Sequence, residues 1–376
     1  MLIRTVLFVV NRPDYFISHR IKIAEKLIAL GFEVHVASVS HPSSKLLKEY
    51  GCYFHDIGIE RGSLNPIKAF MSILKLSKLI RKIRPTVFHC ITLKPVIVGG
   101  FAAKINNVDM VSSIAGLGSV FTTNTKLNTF LRFCIKQMFK FVVFNERSKA
   151  IFQNNDDLNV FTKWNVLSRE QCYLIHGSGV DLQKFKYYPH CLGDKLNILF
   201  PARLIEEKGI FEFLNSASNI LSIRSDVVFN IAGDIDLGNP TSLTYSDLNH
   251  WKKVDGINFL GHVDDMYCLL SKVDIVVLPS YREGFPKALI EASAVGRAII
   301  TTDVPGCRDA VVNGETGILI EAKNSKSLEG AILAMISDPN KIIEMGKRNR
   351  LIAEQAYDVT NVVNKHIDIY QLKGSC

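Results

Sequence analysis

Residues 275–291 read Ile275-Val276-Val277-Leu278-Pro279-Ser280-Tyr281-Arg282-Glu283-Gly284-Phe285-Pro286-Lys287-Ala288-Leu289-Ile290-Glu291. A short apolar strand, a Pro-Ser-Tyr turn and a helix follow one another here. Pro286 suits the first helical position, because the N–H it lacks has no partner at a helix start. The helix is therefore expected to begin at Phe285 or Pro286. Its backbone donors and positive dipole end then lie at the carboxyl end of a strand, where α/β sheets bind anions, and a diphosphate fits there. Glu283 comes just before the helix and Glu291 about one and a half turns inside it, so the two carboxylates do not form an adjacent acid/base pair. They suit separate parts of an elongated ligand, such as sugar hydroxyls and ribose hydroxyls. Either glutamate alone also reads as an ordinary helix-start or solvated residue.

On either side, apolar runs alternate with amphipathic helical stretches, the pattern of βαβ units and parallel sheets. One cycle has strands at Val6–Val10, Val34–Ser38, Val87–Cys90, Met110–Ser113 and Ala150–Gln153, with a first helix from about Ser18 to Gly31. A second has strands at Asn197–Phe200, Val227–Ala232, Ile257–Leu260, Ile275–Leu278 and Ala298–Thr301. Polar, Pro- and Gly-containing residues from Lys186 to Asp194 separate them. The chain thus reads as a first domain over residues 1–188, a second over 189–356 and a terminal helix over 357–376, whose Val359, Val362, Val363, Ile367 and Tyr370 recur at helical spacing.

With 376 residues there is length for two cores. Split after His190, the first part carries 26 Lys/Arg against 12 Asp/Glu and the second 19 against 24, so +14 faces −5. Such asymmetry points to a polyanionic partner for the first domain, and an anionic membrane surface fits better than nucleic acid. Two basic stretches with helical apolar spacing support that choice. Pro66–Ile83 places Lys68, Lys75, Lys78, Arg81 and Lys82 beside Ile67, Phe70, Ile73, Leu74 and Ile80. Lys126–Phe144 places Lys126, Arg132, Lys136 and Lys140 among Leu127, Phe130, Leu131, Ile135, Met138, Phe139 and Phe141. Each also reads as a core helix with a solvated basic face. The eight cysteines are scattered without a CxxC pair, as expected of reduced cytosolic thiols and not of a metal site. Neither a signal peptide nor a membrane span is expected.

Upstream of the deciding stretch, Phe200-Pro201-Ala202-Arg203-Leu204-Ile205-Glu206-Glu207-Lys208-Gly209-Ile210 is again a strand end running into a helix. Arg203 and Lys208 lie five apart across a loop and can converge on one phosphate pair, stabilising the charge that develops as it leaves. In isolation a solvated surface Arg and Lys would look the same.

Together these stretches resemble glycosyltransferase family 4, two-domain enzymes of the GT-B fold. The resemblance runs through most of the chain. Glu283 and Glu291 meet the family's EX7E motif, and Arg203 and Lys208 its paired cations. Ala232-Gly233-Asp234, Phe259-Leu260-Gly261-His262-Val263, Asp303-Val304-Pro305-Gly306-Cys307-Arg308 and Asn313-Gly314-Glu315-Thr316-Gly317 match as well, as do Phe152–Asp156 and Gly177–Asp181 in the first domain. The resemblance implies two Rossmann-like domains facing across a cleft, with the last helix crossing back onto the first. It implies that Arg203 and Lys208 hold a donor diphosphate, Glu291 the ribose and Glu283 the transferred sugar. Gly261, His262 and Val263 would meet the base, and Gly284, Phe285, Lys287, Ala288 and Leu289 would complete the donor site. Transfer with retained configuration and without metal or other cofactor is implied. Asp234-Ile235-Asp236 looks like a DxD metal motif, but it follows a central strand within a Gly-Asp loop like the family's. The first strand is followed by no GxGxxG, so a nicotinamide site has no support.

Ser18-His19-Arg20 and His89–Pro95 resemble a subgroup that extends polyprenyl-diphosphate-linked glycans in bacterial O-antigen and capsule assembly. That implies an N-acetylhexosamine (GalNAc or GlcNAc) donated from UDP to a lipid-linked glycan, by an enzyme peripheral on the inner face of the cytoplasmic membrane. UDP-galactose, UDP-glucose or GDP-mannose would use the same phosphate apparatus, and a nucleotide-sugar epimerase shares the architecture. Acceptor-side candidates are Asp14, His19, Arg20, His89, Lys94, Gly116 and Gly118. Relatives often carry a His where this chain has Ser113–Ser119, and its Gly-Leu-Gly instead offers close backbone approach. For His19, His89 and Lys94 a capping or surface role fits equally well.

Overall fold

Along each apolar run successive side chains point to opposite faces, so a strand apolar throughout must be covered on both. Leu7 and Val9 enter one apolar cluster while Val6, Phe8 and Val10 enter another, all with no measurable exposure. Ile275 and Val277 divide from Val276 and Leu278 in the same way. The structure, a computed structural model, describes residues 4–59, 65–118, 121, 125–143, 147–190 and 193–371. Ser119, Leu127's side chain, Phe144 and the last five residues, 372–376, lie outside them.

Among the described residues there are two parallel sheets. The first contains β1 (Thr5–Val9), β2 (Glu33–Ser38), β3 (Tyr53–Asp56), β4 (Val87–Ile91), β5 (Val111–Ile114), β6 (Lys149–Phe152) and β7 (Cys172–Leu174), in the order β3-β2-β1-β4-β5-β6-β7. The second contains β8 (Leu196–Phe200), β9 (Val227–Ala232), β10 (Ile257–Gly261), β11 (Ile275–Leu278), β12 (Ala298–Thr302) and β13 (Gly317–Ile320), in the order β10-β9-β8-β11-β12-β13. Each order reverses once, between β1 and β4 and between β8 and β11, as in doubly wound nucleotide-binding folds.

By contacts the chain divides into two units, residues 1–178 with 359–376 and residues 179–358. Residues 179–188, placed in the first domain from sequence, group with the second. Val180 N–H donates to Tyr357 O at 2.8 Å, and Arg350 Nη1 donates to Phe185 O at 3.0 Å. The terminal helix Val359–Ile369 packs on helix Pro13–Ala29 of the first unit, burying Val362, Val363 and Ile367. That first helix starts five residues before Ser18, because Pro13 takes the first turn and Asp14 suits its positive end. The expectation also misses β3, β7 and β13. These strands are three or four residues long and, apart from β13, open with or contain polar, half-exposed positions that carry no long apolar run.

One glycine ties the ends of β8 and β11 together. Gly209, with φ of +76°, ends the turn Glu206–Lys208 and leads into helix Ile210–Leu221. A methyl group there would lie 2.2 Å from the Pro279 carbonyl oxygen. Gly209→Ala is expected to lower stability by about 1–3 kcal/mol through strain and displacement of the Pro279 turn. Chemical denaturation measures this, and a variant as stable as the parent contradicts the contact.

Candidate active site

In the second unit the strand order reverses between β8 and β11, which pair through Ile198 with Ile275 and Leu199 with Val276. Ligands of open α/β sheets bind outside the carboxyl ends at such a point. The loop after β8 carries Arg203 and Lys208, and the loop after β11 carries Glu283. The two loops are joined directly, as Tyr281 N–H donates to Glu207 O at 2.9 Å and Tyr281 Oη donates to the Glu212 carboxylate at 2.7 Å. Burial, and then that bond to Glu212, hold the Tyr281 hydroxyl above its ordinary range.

Lys208 forms an ion pair with Glu283, their side chains 22% and 13% exposed. Ser280 Oγ donates to the same Glu283 oxygen at 2.7 Å, and Glu283 N–H donates to Pro305 O at 3.1 Å. Gly306, with φ of +81°, backs this turn, where a methyl would lie 2.5 Å from Glu283 O. Burial, followed by the charge of Glu283, pushes the neighbouring Cys307 thiol up to about 12, so it is no nucleophile near neutral pH.

The helix begins at Lys287, one residue after Pro286 and two after Phe285, the two expected starts. Pro286 is the N-cap, with φ −70° and extended ψ of 119°, and its carbonyl accepts from Leu289 and Ile290. Glu291 therefore lies just over one turn inside. It is 8% exposed and 3.4 Å from Lys287 Nζ. Burial pushes its carboxyl above the ordinary glutamate value of 4.5, against the opposing pull of Lys287. Leu289 and Phe285 are core residues, Phe285 meeting Tyr357 edge-on at 5.5 Å, so their side chains seat the helix. Gly284 is buried and Ala288 partly so.

Arg203 forms an ion pair with Asp236, the second acid of the DxD-like Asp234-Ile235-Asp236. Beside it Gly233 passes so close that a methyl would lie 1.9 Å from Ala202 O. Gly261 ends β10 with φ of +66°, Val263 borders an apolar cluster, and the exposed His262 faces Asp264 at 3.3 Å. Each of the three cations Arg203, Lys208 and Lys287 thus faces a carboxylate. Such a site can take up a dianionic group by exchanging partners, with carboxylates already beside the cations. Sequence reading singled out neither Asp236 as the partner of Arg203 nor Ser280 as a donor to Glu283; in sequence Asp236 reads only as part of a DxD-like motif and Ser280 as an ordinary turn residue.

In the first unit the order reverses between β1 and β4, where Asn11 Nδ2 donates to Thr92 Oγ1 at 2.7 Å. Asp14 pairs with Arg12 at 2.8 Å, His19 stacks on Tyr15 with centroids 4.4 Å apart, and Lys94 lies in the first turn of helix Leu93–Asn106. Gly116 and Gly118 follow β5 with φ of 104° and 74°. Arg20 and His89 instead sit inside the unit, 1% and 0% exposed. His89 Nδ1 bonds Tyr370 Oη at 2.6 Å and its Nε2 bonds Ser113 Oγ at 2.7 Å. Burial, then the neighbouring His366 and Arg20, hold His89 well below its ordinary range and so neutral. From sequence, Tyr370 stood out only as an apolar position of the last helix.

Residues 5–155 match the family description "Glycosyl transferase 4-like" and residues 191–355 match "Glycosyl transferases group 1". The chain is 27% identical over 342 residues to the N,N'-diacetylbacillosaminyl-diphospho-undecaprenol alpha-1,3-N-acetylgalactosaminyltransferase of Campylobacter jejuni, covering 86% of this chain and 88% of the relative. It is 27% identical over 326 residues to the UDP-Gal:alpha-D-GlcNAc-diphosphoundecaprenol alpha-1,3-galactosyltransferase of Escherichia coli, covering 82% and 81%. Among solved structures, Anabaena HepE in complex with UDP superposes with a TM-score of 0.79 at 17% identity, over 98% of this chain and 100% of that one. The two reversing parallel sheets are those of the GT-B fold, and the chain belongs to glycosyltransferase family 4.

Proposed function

We propose that the protein is a retaining, metal-independent hexosyltransferase that moves an N-acetylhexosamine, GalNAc or GlcNAc, from its UDP form to a polyprenyl-diphosphate-linked glycan in surface polysaccharide assembly. The observation that carries this reading is the Lys208–Glu283 ion pair at the reversal of the second sheet, with Arg203 on the same loop as Lys208. The Campylobacter relative, whose name specifies an N-acetylgalactosaminyl group and a diphospho-undecaprenol acceptor, supports the donor and acceptor classes. The Escherichia coli relative favours UDP-galactose as the second reading.

On this reading Lys208 and Arg203 turn from their carboxylates to the diphosphate, while the amide end of helix Lys287–Val295 faces it. Glu291 accepts from the ribose hydroxyls and Glu283 from hydroxyls of the transferred sugar. The bond between the anomeric carbon and the phosphate oxygen breaks, an acceptor hydroxyl oxygen bonds to that carbon on the same face, and its proton passes to the departing phosphate. The cations neutralise the charge that accumulates on the leaving group, the term that dominates such transfers. No step needs a metal ion, because Arg203 and Lys208 supply that charge.

The membrane surface is the proposed place of work. Helix Pro66–Ile83 exposes Ile67, Phe70, Met71 and Leu74, and helix Lys126–Val143 exposes Phe130, Phe133 and Phe141. Both helices pack on Leu93–Asn106, on one side of the first sheet. Apolar side chains fringed by lysines suit an anionic bilayer, on which the protein would sit peripherally at the cytoplasmic face. Among the described residues no helix is long and apolar enough to cross a membrane.

With UDP-GalNAc, UDP-GlcNAc and a synthetic polyprenyl-diphosphate glycan, the protein is expected to form an α-linked product in EDTA as fast as in magnesium. Arg203→Ala and Lys208→Ala should each lower kcat/KM by about 10²–10³-fold. An inverted linkage, or activity lost to EDTA, overturns the mechanism, and epimerised nucleotide sugar without acceptor overturns the assignment. A second expectation concerns Glu291. Its raised carboxyl stabilises the fold below the ordinary value of 4.5 and ceases to do so as pH rises through the folded value, because burial disfavours the charged form. Glu291→Gln should therefore melt higher than the parent at pH 7, with the gap closing toward pH 4, yet bind UDP less well. A variant that melts lower at pH 7 contradicts this. For the membrane, Phe70→Asp with Phe130→Asp should weaken binding to anionic vesicles more than about tenfold, since each buried Phe contributes about 1.5–3 kcal/mol. Unchanged flotation contradicts the docking face.

A further inference from the structure

A strap running from Gly233 to Leu243 lies over the cation loop. Leu204 N–H donates to Asp234 O at 3.1 Å and Leu243 N–H to Leu204 O at 2.8 Å, while Glu206 N–H donates to Thr241 O at 2.9 Å. Side chains add to these bonds. Ser242 Oγ donates to Leu204 O at 3.1 Å and accepts from Asp236 N–H at 2.9 Å, and Thr241 Oγ1 donates to the Glu207 carboxylate at 2.6 Å. Within the strap, Asn239 N–H closes a turn on Asp236 O at 2.8 Å. The backbone of Asp236 is thus fixed at both its N–H and its carbonyl, and its carboxylate is delivered onto the Arg203 guanidinium. Because the pair is partly exposed, at 41% for Arg203 and 29% for Asp236, an incoming anion can reach the cation.

We infer that Asp236 is a placeholder carboxylate, which occupies the diphosphate seat on Arg203 in the empty enzyme, yields it to the nucleotide sugar, and retakes the cation as the nucleoside diphosphate departs. The inference rests on the reading of Arg203 as a donor-diphosphate ligand. Asp236 is then a positioning residue. It holds the guanidinium aimed and charge-balanced between turnovers, and it lowers nucleotide affinity by competing for one partner. A carboxylate and a phosphate offer the same pair of acceptor oxygens to the guanidinium fork, so the exchange needs no rearrangement of the strap.

The test is titration calorimetry of UDP alone into the full-length protein and its variants. Asp236→Asn keeps shape and removes charge, and should tighten UDP by about three- to five-fold, the scale of a partly exposed ion pair. Asp236→Glu, which keeps the charge, should not tighten it. Ser242→Ala, which loosens the strap but leaves the carboxylate, should not tighten it either. Arg203→Ala should weaken UDP, and in that background Asp236→Asn should bring no gain, because the two residues act as one pair. If Asp236→Asn fails to fold, Asp236→Ala answers the same question. A neutral Asp236 variant that binds UDP as well as or less well than the parent, while Arg203→Ala weakens it, overturns the placeholder and leaves the donor reading standing. Arg203→Ala without effect on UDP overturns both.

Discussion

Lys208 and Glu283 are separated by 75 residues, yet they form an ion pair because β8 and β11 lie side by side where the second sheet reverses its order. A pair of this kind is worth little by itself as a source of stability. Its value lies in placement, since the geometry comes from the sheet and not from the side chains. The pairing of Ile198 with Ile275 fixes the strand ends, Gly209 lets one loop settle against Pro279, and Gly306 lets Glu283 settle against Pro305. With a side chain at either glycine the cation and the carboxylate would be pushed out of register. The fold thus spends its backbone freedom where the chemistry needs fixed charge.

This arrangement explains why the acids and bases of the site are distributed as they are. Three cations each face a carboxylate, so their charges are paired and the guanidinium and ammonium groups are held in place against their mutual repulsion. Glu291 is the exception in cost. It is buried deeply enough that its charged form is disfavoured, and only Lys287 and Lys184 oppose the effect. A buried acid whose charged form is disfavoured is the kind of group that functional sites carry more often than cores do. The first unit makes the opposite choice: His89 and His366 are buried deeply enough to stay neutral, bonded to Ser113, Tyr370 and a carbonyl.

Much of this was legible in the residues. Long apolar runs such as Val227–Ala232 and Ile275–Leu278 announce central strands, and helix Pro66–Ile83 coincides with its predicted span, because apolar periodicity is a local property. The short edge strands β3, β7 and β13 were not legible. Their hydrogen bonds come from neighbours distant in sequence, and three or four residues hold no period. The start of the helix at Lys287 was expected one or two residues early, at Pro286 or Phe285, because Pro286 suits both the first helical position and an extended N-cap, and composition does not separate the two. Glu283, Glu291, Arg203 and Lys208 stood out only together, through the resemblance of their motifs and surroundings to a known family, since each alone reads as an ordinary polar residue. Asp236 stood out only as the second acid of a DxD-like motif, and its pairing with Arg203 was not legible, since it depends on the strap that carries it back over the cation loop, a tertiary fact.

A structure determined with bound UDP tests the central claim most directly. The account predicts the diphosphate at the ends of β8 and β11, with its oxygens on Arg203 Nη atoms and Lys208 Nζ, the start of helix Lys287–Val295 facing it, and the ribose hydroxyls on Glu291. A diphosphate bound away from both cations, with Arg203 and Lys208 still on their carboxylates, would contradict it.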